Sequence, residues 1–215
     1  TELAAQTLGL QPNEVLNCST GIIGMQLPME RIRSQIAAVA EGDNPDAAAE
    51  AIMTSDTKPK SFAIEVDGIR IGGIAKGAGM IRPDMATMLC FITTDAEISQ
   101  SDLDSAIKVA ADASFNCITI DGDMSTNDTV LVLANGEAGA LSLDRFQAGL
   151  TAVMLELAKM LVRDGERVTK LVEVRVSGAK STEDAKLVAQ AVGNSNLVKS
   201  SWNGNDPNWG RIIHA

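Results

Sequence analysis

A threonine at the start of an apolar segment is the residue best placed for covalent chemistry. Thr87 follows a glycine-rich loop containing Gly77 and Gly79, and it precedes the apolar run 88–93. Its hydroxyl could attack the carbonyl carbon of Ala86 if the loop strains that peptide bond, and hydrolysis of the resulting ester would free the amine of Thr87. An N-terminal threonine carries a general base, its own α-amine with an ordinary pKa of about 7.7 to 8.0, beside its hydroxyl. By its position alone, however, a threonine that starts a strand is usually a structural residue.

The sequence does not match the patterns of three other common site types. Gly77 and Gly79 lack both the third glycine of the dinucleotide pattern and the Gly-Lys-Ser/Thr ending of a nucleotide-triphosphate loop. The carboxylate-rich segment 121–128 has Val132 where a calcium loop needs a bidentate glutamate, so it is predicted to be a structural polar turn near the site. His214 is the one histidine, which leaves a serine-type triad without a base and a zinc site without ligands. No metal site is expected.

Hydrophobic periodicity predicts that helices and strands mix along the chain, and hence an α/β or α+β fold. Asp67-Gly68 between two alternating apolar runs predicts a β-hairpin, and 72–83 is predicted to be a loop. The predicted helices are one ending near 10, one opening at Pro28, and 45–53, 101–115, 143–163 and 182–192; the predicted strands are 15–18, 62–66, 69–71, 88–93, 118–120, 130–133 and 168–176.

Composition restricts the partners and the compartment. A chain of 215 residues can form one large domain or two small ones. The net charge of -10 disfavours nucleic acid as a partner because the chain would be repelled by phosphates. Three cysteines without metal-ligand spacing predict a reduced protein in the cytoplasm. Residues 1–10 do not have the pattern of a signal peptide, and no apolar run approaches the ~20 residues of a membrane span.

Six segments, taken in order, resemble sequence blocks of the ornithine acetyltransferase family, also called bifunctional glutamate N-acetyltransferases. The resemblance covers essentially the whole chain, and six ordered blocks are far more specific than any one alone. The blocks are Ser-Thr-Gly-Ile-Ile-Gly (19–24), Ala-Ile-Met-Thr-Ser-Asp-Thr (51–57), Lys-Gly-Ala-Gly-Met-Ile-Arg-Pro-Asp-Met-Ala-Thr-Met-Leu (76–89), Asp-Gly-Asp-Met-Ser-Thr-Asn-Asp-Thr (121–129), Gly-Ala-Lys (178–180) and Asp-Pro-Asn-Trp-Gly-Arg (206–211).

The resemblance implies the reacting residues. Thr87 matches the family's nucleophile, and the bond between Ala86 and Thr87 matches its self-cleavage site. Thr20 and Gly21 match the pair that forms the oxyanion hole. By itself, Ser-Thr-Gly would be a turn that ends a strand.

The resemblance also implies the residues that bind substrate. Besides the nucleophilic threonine, Lys76 matches a substrate-binding lysine, and Thr54 matches another binding position. Glu166 could bind the cationic amine of ornithine. This chain has Arg167 and Val168 where the family usually has glycine and alanine, so the preferred amino acid is left open.

By resemblance, the protein transfers the acetyl group of N-acetylornithine to glutamate through an acetyl-threonine ester, in arginine synthesis. No metal or organic cofactor is implied, although acetyl-coenzyme A could serve as an acetyl donor. Residues 1–86 would end the first chain and 87–215 would begin the second, in a heterotetramer of two alpha and two beta chains, truncated here at both ends. A self-processing amidohydrolase or aminopeptidase with the same nucleophile, and an inactive fragment, are the alternatives.

Overall fold

A four-stranded sheet forms the centre of the fold. The structure is a computed structural model that describes residues 1–82 and 88–215. Its strands, in spatial order, are β1 (Lys60–Val66), β2 (Ile69–Lys76), β3 (Leu89–Glu97) and β4 (Thr129–Ala140). The first two pairs are antiparallel, and β3 and β4 are parallel. The mixed α/β prediction is confirmed, whereas the predictions for Ala86 and Thr87 lie outside the described residues.

Helices precede, connect and follow these strands along the chain. Because β3 and β4 are parallel, a crossover connection must join them, and it contains helix α4 (Gln100–Asp112). The helices are α1 (Glu2–Leu8), α2 (Met29–Ala40), α3 (Pro45–Ala51), α4 (Gln100–Asp112), α5 (Leu143–Arg163), α6 (Thr182–Asn194), α7 (Asn196–Asn203) and α8 (Trp209–His214), with short 3-10 turns at Pro12–Glu14 and Phe115–Cys117.

The core lies between the sheet and helix α5. This helix has the predicted bounds, and its apolar stripe packs on β1, β2 and α4. Full burial of each large aliphatic side chain contributes roughly 1.5–3 kcal/mol. Gly149 allows the close approach, because a Cβ atom there would lie 2.9 Å from Cδ1 of Ile71. The fully buried stripe comprises Phe146, Leu150, Val153, Met154, Leu157 and Leu161.

The hairpin between β1 and β2 forms where the sequence predicts it. Asp67 and Gly68 have φ angles of 52° and 83°, and Val66 pairs with Ile69 across the turn. Two positive φ angles are the requirement of a type I′ turn, whose twist matches that of the strands. The predicted loop at 72–83 is wrong in its first part, since β2 continues to Lys76.

Three predicted strands are wrong. Residues 15–18, 118–120 and 168–176 adopt extended or irregular backbone without a sheet ladder. Residues 118–120 resemble a strand in sequence because Ile118 and Ile120 both pack against the core. A single backbone hydrogen bond, from the N–H of Ile120 to the carbonyl of Ile81, takes the place of a ladder. Residues 168–176 are largely exposed and are held to α7 by Lys170, whose Nζ donates to the carbonyl of Trp202.

Strand β4 is longer than predicted. The sequence predicts an end at Asn135-Gly136, but the strand continues to Ala140. Gly136 adopts a φ of 76°, and the pairing with β3 shifts register between Thr94 and Ala96. A bulge therefore absorbs the turn-forming dipeptide without ending the strand.

Candidate active site

Asp56 organises the loop between α3 and β1. Its carboxylate is inaccessible to solvent and accepts three hydrogen bonds. These come from Nζ of Lys60 at 2.5 Å, the backbone N–H of Gly77 at 2.7 Å and the backbone N–H of Thr54 at 3.1 Å. One buried side chain thus ties the Thr54 loop to the residue that follows Lys76.

Lys60 lies between two buried carboxylates. Its Nζ is 2.5 Å from Asp56 and 2.6 Å from Asp164, and Asp164 also accepts hydrogen bonds from the backbone and hydroxyl of Thr57. Burial alone would raise the pKa of both carboxyls. For Asp56, the bonds from Gly77, Lys60 and Thr54 outweigh burial and hold the pKa below its usual range, and Lys60 and Thr57 do the same for Asp164. Both groups are therefore held as carboxylates.

Lys76 is a second buried cation, at the end of β2, and it is 1% exposed. Its Nζ donates to Oγ1 of Thr54 at 3.2 Å. Burial lowers the pKa of this ammonium, and the positive charge of Lys60 lowers it further. The negative charges of Asp56 and Asp128 act in the opposite direction. Within the described residues no carboxylate lies within 4.0 Å of it, unlike Lys60. Lys76 and Thr54, which the family resemblance implies to bind substrate, are thus in direct contact through this hydrogen bond.

The implied oxyanion pair lines an open cleft beside this lysine. Thr20 and Thr54 lie along one depression of about 560 Å³ that extends to Leu89, and Leu89 pairs with Lys76 across the sheet. Thr20 and Gly21 also line an adjoining depression of about 490 Å³. Thr20 of the implied oxyanion pair and the Lys76–Thr54 pair therefore lie near the beginning of β3, whereas Gly21 lines only the adjoining depression.

Glu166 lies elsewhere, beside the loop that follows β2. Its backbone N–H donates to the carbonyl of Ala78 at 2.7 Å. A Cβ atom on Gly79 would stand 3.0 Å from Oε1 of Glu166 and 3.6 Å from Oδ2 of Asp121. Glycine is therefore required for this close approach of the carboxylate to the loop. Glu166 does not line the cleft that Thr20 and Thr54 share.

Two aspartates of the segment 121–128 accept hydrogen bonds from backbone N–H groups, one at residues 80 and 81 and the other at residue 88. Asp121 accepts hydrogen bonds from the N–H groups of Met80 and Ile81 at 2.5 and 2.9 Å. Asp128 accepts one from the N–H of Met88 at 2.9 Å. Burial raises the pKa of the Asp128 carboxyl, and the hydrogen bond from Met88 is the largest opposing effect.

Reasoning from the sequence missed the residues that support the site, namely Asp56, Lys60, Asp128 and Asp164. Asp56 and Asp128 lie in two of the six sequence blocks, and each directly precedes a threonine. Their place in these blocks is the one feature of the sequence that could have identified them. Lys60 and Asp164 are separated by 104 residues and carry no local pattern.

Among residues 1–82 and 88–215, no helix is both long and apolar enough to cross a membrane. The same residues contain no group of three or more histidine, cysteine, aspartate or glutamate side chains arranged to hold a metal ion.

The chain is similar to proteins of one family over its whole length. It is 50% identical, over 100% of its residues, to the arginine biosynthesis bifunctional protein ArgJ of Thermus thermophilus. It is 48% identical, over 99% of its residues, to the glutamate N-acetyltransferase of Methanosarcina mazei. It covers 56% of each of these proteins, so the chain spans about half the length of these curated relatives.

A solved structure has a similar fold. The crystal structure of arginine biosynthesis bifunctional protein ArgJ from Bacillus halodurans is 44% identical and superposes with a TM-score of 0.55, covering 58% of this chain and 62% of that one. The sequence profile of the ArgJ family matches residues 1–215. This chain therefore belongs to the ArgJ family, which confirms the resemblance seen in its six sequence blocks.

Proposed function

We propose that this chain forms the reaction centre of an enzyme that transfers the acetyl group of N-acetylornithine to glutamate. The observation that carries the proposal is the junction of Lys76, Thr54 and Thr20 at the start of β3, two residues after Thr87 in sequence. Lys76 is a buried ammonium in contact with a residue of the open cleft, and within residues 1–82 and 88–215 no carboxylate contacts it that an anion would have to displace. Relatives named glutamate N-acetyltransferase support the choice of acceptor.

The enzyme first cleaves itself between Ala86 and Thr87. The hydroxyl of Thr87 attacks the carbonyl carbon of Ala86, the peptide becomes an ester, and water hydrolyses that ester. Residues 1–86 then belong to one chain and 87–215 to the other. The strands β2 and β3, which flank the cut, stay paired from Ile71 with Thr94 to Lys76 with Leu89, so the two pieces remain joined.

Acetyl transfer then takes two steps. The freed amine of Thr87 accepts the proton of its own hydroxyl while the oxygen attacks the acetyl carbonyl of N-acetylornithine. The tetrahedral intermediate collapses, its amide nitrogen takes up a proton, and ornithine leaves an acetyl ester on Thr87. The amine of glutamate attacks this ester, forming N-acetylglutamate and restoring the hydroxyl. Thr20 and Gly21 stabilise both oxyanions, a contribution typically of about a hundredfold to a thousandfold per donor.

Lys76 and Thr54 hold the α-carboxylate common to both substrates. The ammonium of Lys76 acts as a point charge. Its hydrogen bond to the hydroxyl of Thr54 fixes the orientation of the lysine side chain. Glu166 binds the cationic side chain of ornithine from the side of the loop at 77–79. N-acetylornithine then presents its acetyl carbonyl to Thr87, and glutamate presents its amine to the acetyl ester on Thr87, so one cleft serves both half-reactions.

The wider assembly follows from the family resemblance. We place the protein in the cytoplasm as a heterotetramer of two alpha and two beta chains. It works without a metal or organic cofactor, and acetyl-coenzyme A remains open as a further acetyl donor. Neither nucleic acid nor a membrane is a partner.

Product analysis with and without glutamate tests the proposed reaction. Transfer predicts that N-acetylornithine is consumed rapidly only when glutamate is present, with one N-acetylglutamate formed for each ornithine. Equal consumption without glutamate, with release of acetate, would establish a hydrolase instead. No consumption under either condition would indicate an inactive protein.

A further inference from the structure

Met88, the residue that follows Thr87, is fixed by both of its backbone polar groups. Its N–H donates to Oδ1 of Asp128 at 2.9 Å, and its C=O accepts from the N–H of Thr129 at 3.0 Å. Its side chain is 2% exposed and belongs to the core. These two hydrogen bonds, here termed the Met88 clamp, come from adjacent residues at the start of β4.

The clamp differs in kind from the ladder that follows it. From Leu89 onward, β3 pairs with β2 on one side and with β4 on the other, so Leu89 opposes both Lys76 and Thr129. Met88 lies one residue before that pairing. Its N–H is bound by a side chain, so the clamp depends on residue type at 128 in a way that the ladder does not.

We infer that Asp128 is a positioning residue for the nucleophile, through its hydrogen bond to the backbone of Met88. This inference rests on the proposed function, since it concerns Thr87 after cleavage. A newly formed chain end frays unless it is tied down, and the second residue of the new chain is bound on its N–H, its C=O and its side chain. Without the carboxylate of Asp128, the N–H of Met88 would lose its acceptor. The first residue with a ladder partner would then be Leu89, two residues after Thr87 in sequence.

Charge gives Asp128 a second connection to the site. Its carboxylate is near enough to Lys76 that the two charges attract each other. Lys76 in turn contacts Thr54. One aspartate thus joins the backbone beside the nucleophile to the ammonium that would hold the substrate. A misplacement of about 1 Å can cost a hundredfold in rate, so loss of the hydrogen bond between Asp128 and Met88 should lower turnover more than affinity.

The test compares two substitutions in the protein as the cell makes it. Asp128→Ala removes the acceptor and should lower self-cleavage and kcat by about tenfold to a hundredfold with little change in KM. Asp128→Asn keeps an acceptor oxygen and should restore both to within a few fold of the original protein. Asp95→Ala is the matched control, because Asp95 accepts the backbone N–H of Arg70 at 2.7 Å on the same sheet, away from the cleft.

Three results would overturn the inference. They are unchanged cleavage and kcat in Asp128→Ala, an equal loss in Asp95→Ala, and failure of Asp128→Asn to restore activity. Amide exchange in the original protein gives an independent measurement if Asp128→Ala does not fold: a protected Met88 N–H supports the clamp, and rapid exchange contradicts it. If the original protein neither cleaves itself nor transfers acetyl groups, the proposed function fails, and the inference fails with it. If the original protein and Asp128→Ala are equally active, the inference alone fails.

Discussion

The ammonium of Lys76 donates a hydrogen bond to the hydroxyl of Thr54 at 3.2 Å, across 22 residues of sequence. This contact joins the end of strand β2 to the loop after helix α3. It holds a cation, without a carboxylate of the described chain in contact, against Thr54, which lines the same cleft as Thr20. The chemistry proposed for the chain depends on this pair.

Replacing Lys76 should weaken substrate binding. Hydrogen bonds to charged groups contribute about 1.5–3 kcal/mol, so Lys76→Met should raise KM for N-acetylornithine about tenfold to a hundredfold. Steady-state kinetics measure the change. Lys108→Met, on the exposed side of α4, is the matched control and should leave KM unaltered. An unchanged KM in Lys76→Met would remove this lysine from the binding site.

The buried ionic group of Lys60 should be important for stability. Lys60→Met leaves the carboxylates of Asp56 and Asp164 without their cation, and breaking a buried pair typically costs about 3–5 kcal/mol in the free energy of unfolding. Denaturant unfolding measures this loss. Arg175→Ala removes the exposed ion pair with Glu173 and should leave the free energy of unfolding almost unchanged. Equal effects of the two substitutions would contradict the assignment.

Stability should fall at acid pH because of the same two aspartates. An unfolded aspartate has a pKa of about 3.9, and in the folded chain the pKa values of Asp56 and Asp164 lie lower. Between the folded and unfolded values the unfolded chain binds more protons, so the free energy of unfolding decreases as the pH is lowered through that interval. The stabilisation is complete above about pH 4 to 5. Unfolding of Asp56→Asn at a series of pH values should show a shallower decline below pH ~4, and an identical slope would refute this origin.

Gly79→Ala should act on Glu166 without unfolding the protein. The added Cβ would stand 3.0 Å from Oε1 of Glu166, at the movable end of an exposed side chain. The carboxylate must shift, so KM for N-acetylornithine should rise several-fold while Tm stays within a few degrees. Gly193→Ala is a suitable control, because its Cβ would meet Cγ2 of Thr119 at an ordinary 3.4 Å. A normal KM in Gly79→Ala would separate Glu166 from substrate binding.

The sequence predicted helix α5 and the hairpin between β1 and β2 correctly, because local patterns determine both. Helix α5 has the predicted bounds because its apolar stripe is regular over 21 residues. The hairpin at Asp67-Gly68 follows from two residues that accept positive φ. The predicted strands at 118–120 and 168–176 failed because alternation reports one-sided burial, whereas a strand also needs a neighbour for its hydrogen bonds.

The family resemblance named candidate site residues, which stay predictions, but it did not name the residues that support them. Motif resemblance identified Thr54 and Lys76, and the structure adds that they touch. Asp164 is brought to Lys60 by the packing of α5 on the sheet, over 104 residues, and no local pattern encodes such a contact. The roles of Ala86 and Thr87 stay predictions of the sequence.

Intact mass spectrometry of the denatured protein, before and after brief incubation with N-acetylornithine, measures self-cleavage and acetylation together. We expect two pieces that meet between Ala86 and Thr87, and an added acetyl group on the piece that begins with Thr87. Thr87→Ala should remain a single chain without an acetyl group. Acetyl transfer at a normal rate by Thr87→Ala, or an acetyl group on any other residue, would contradict this role of Thr87.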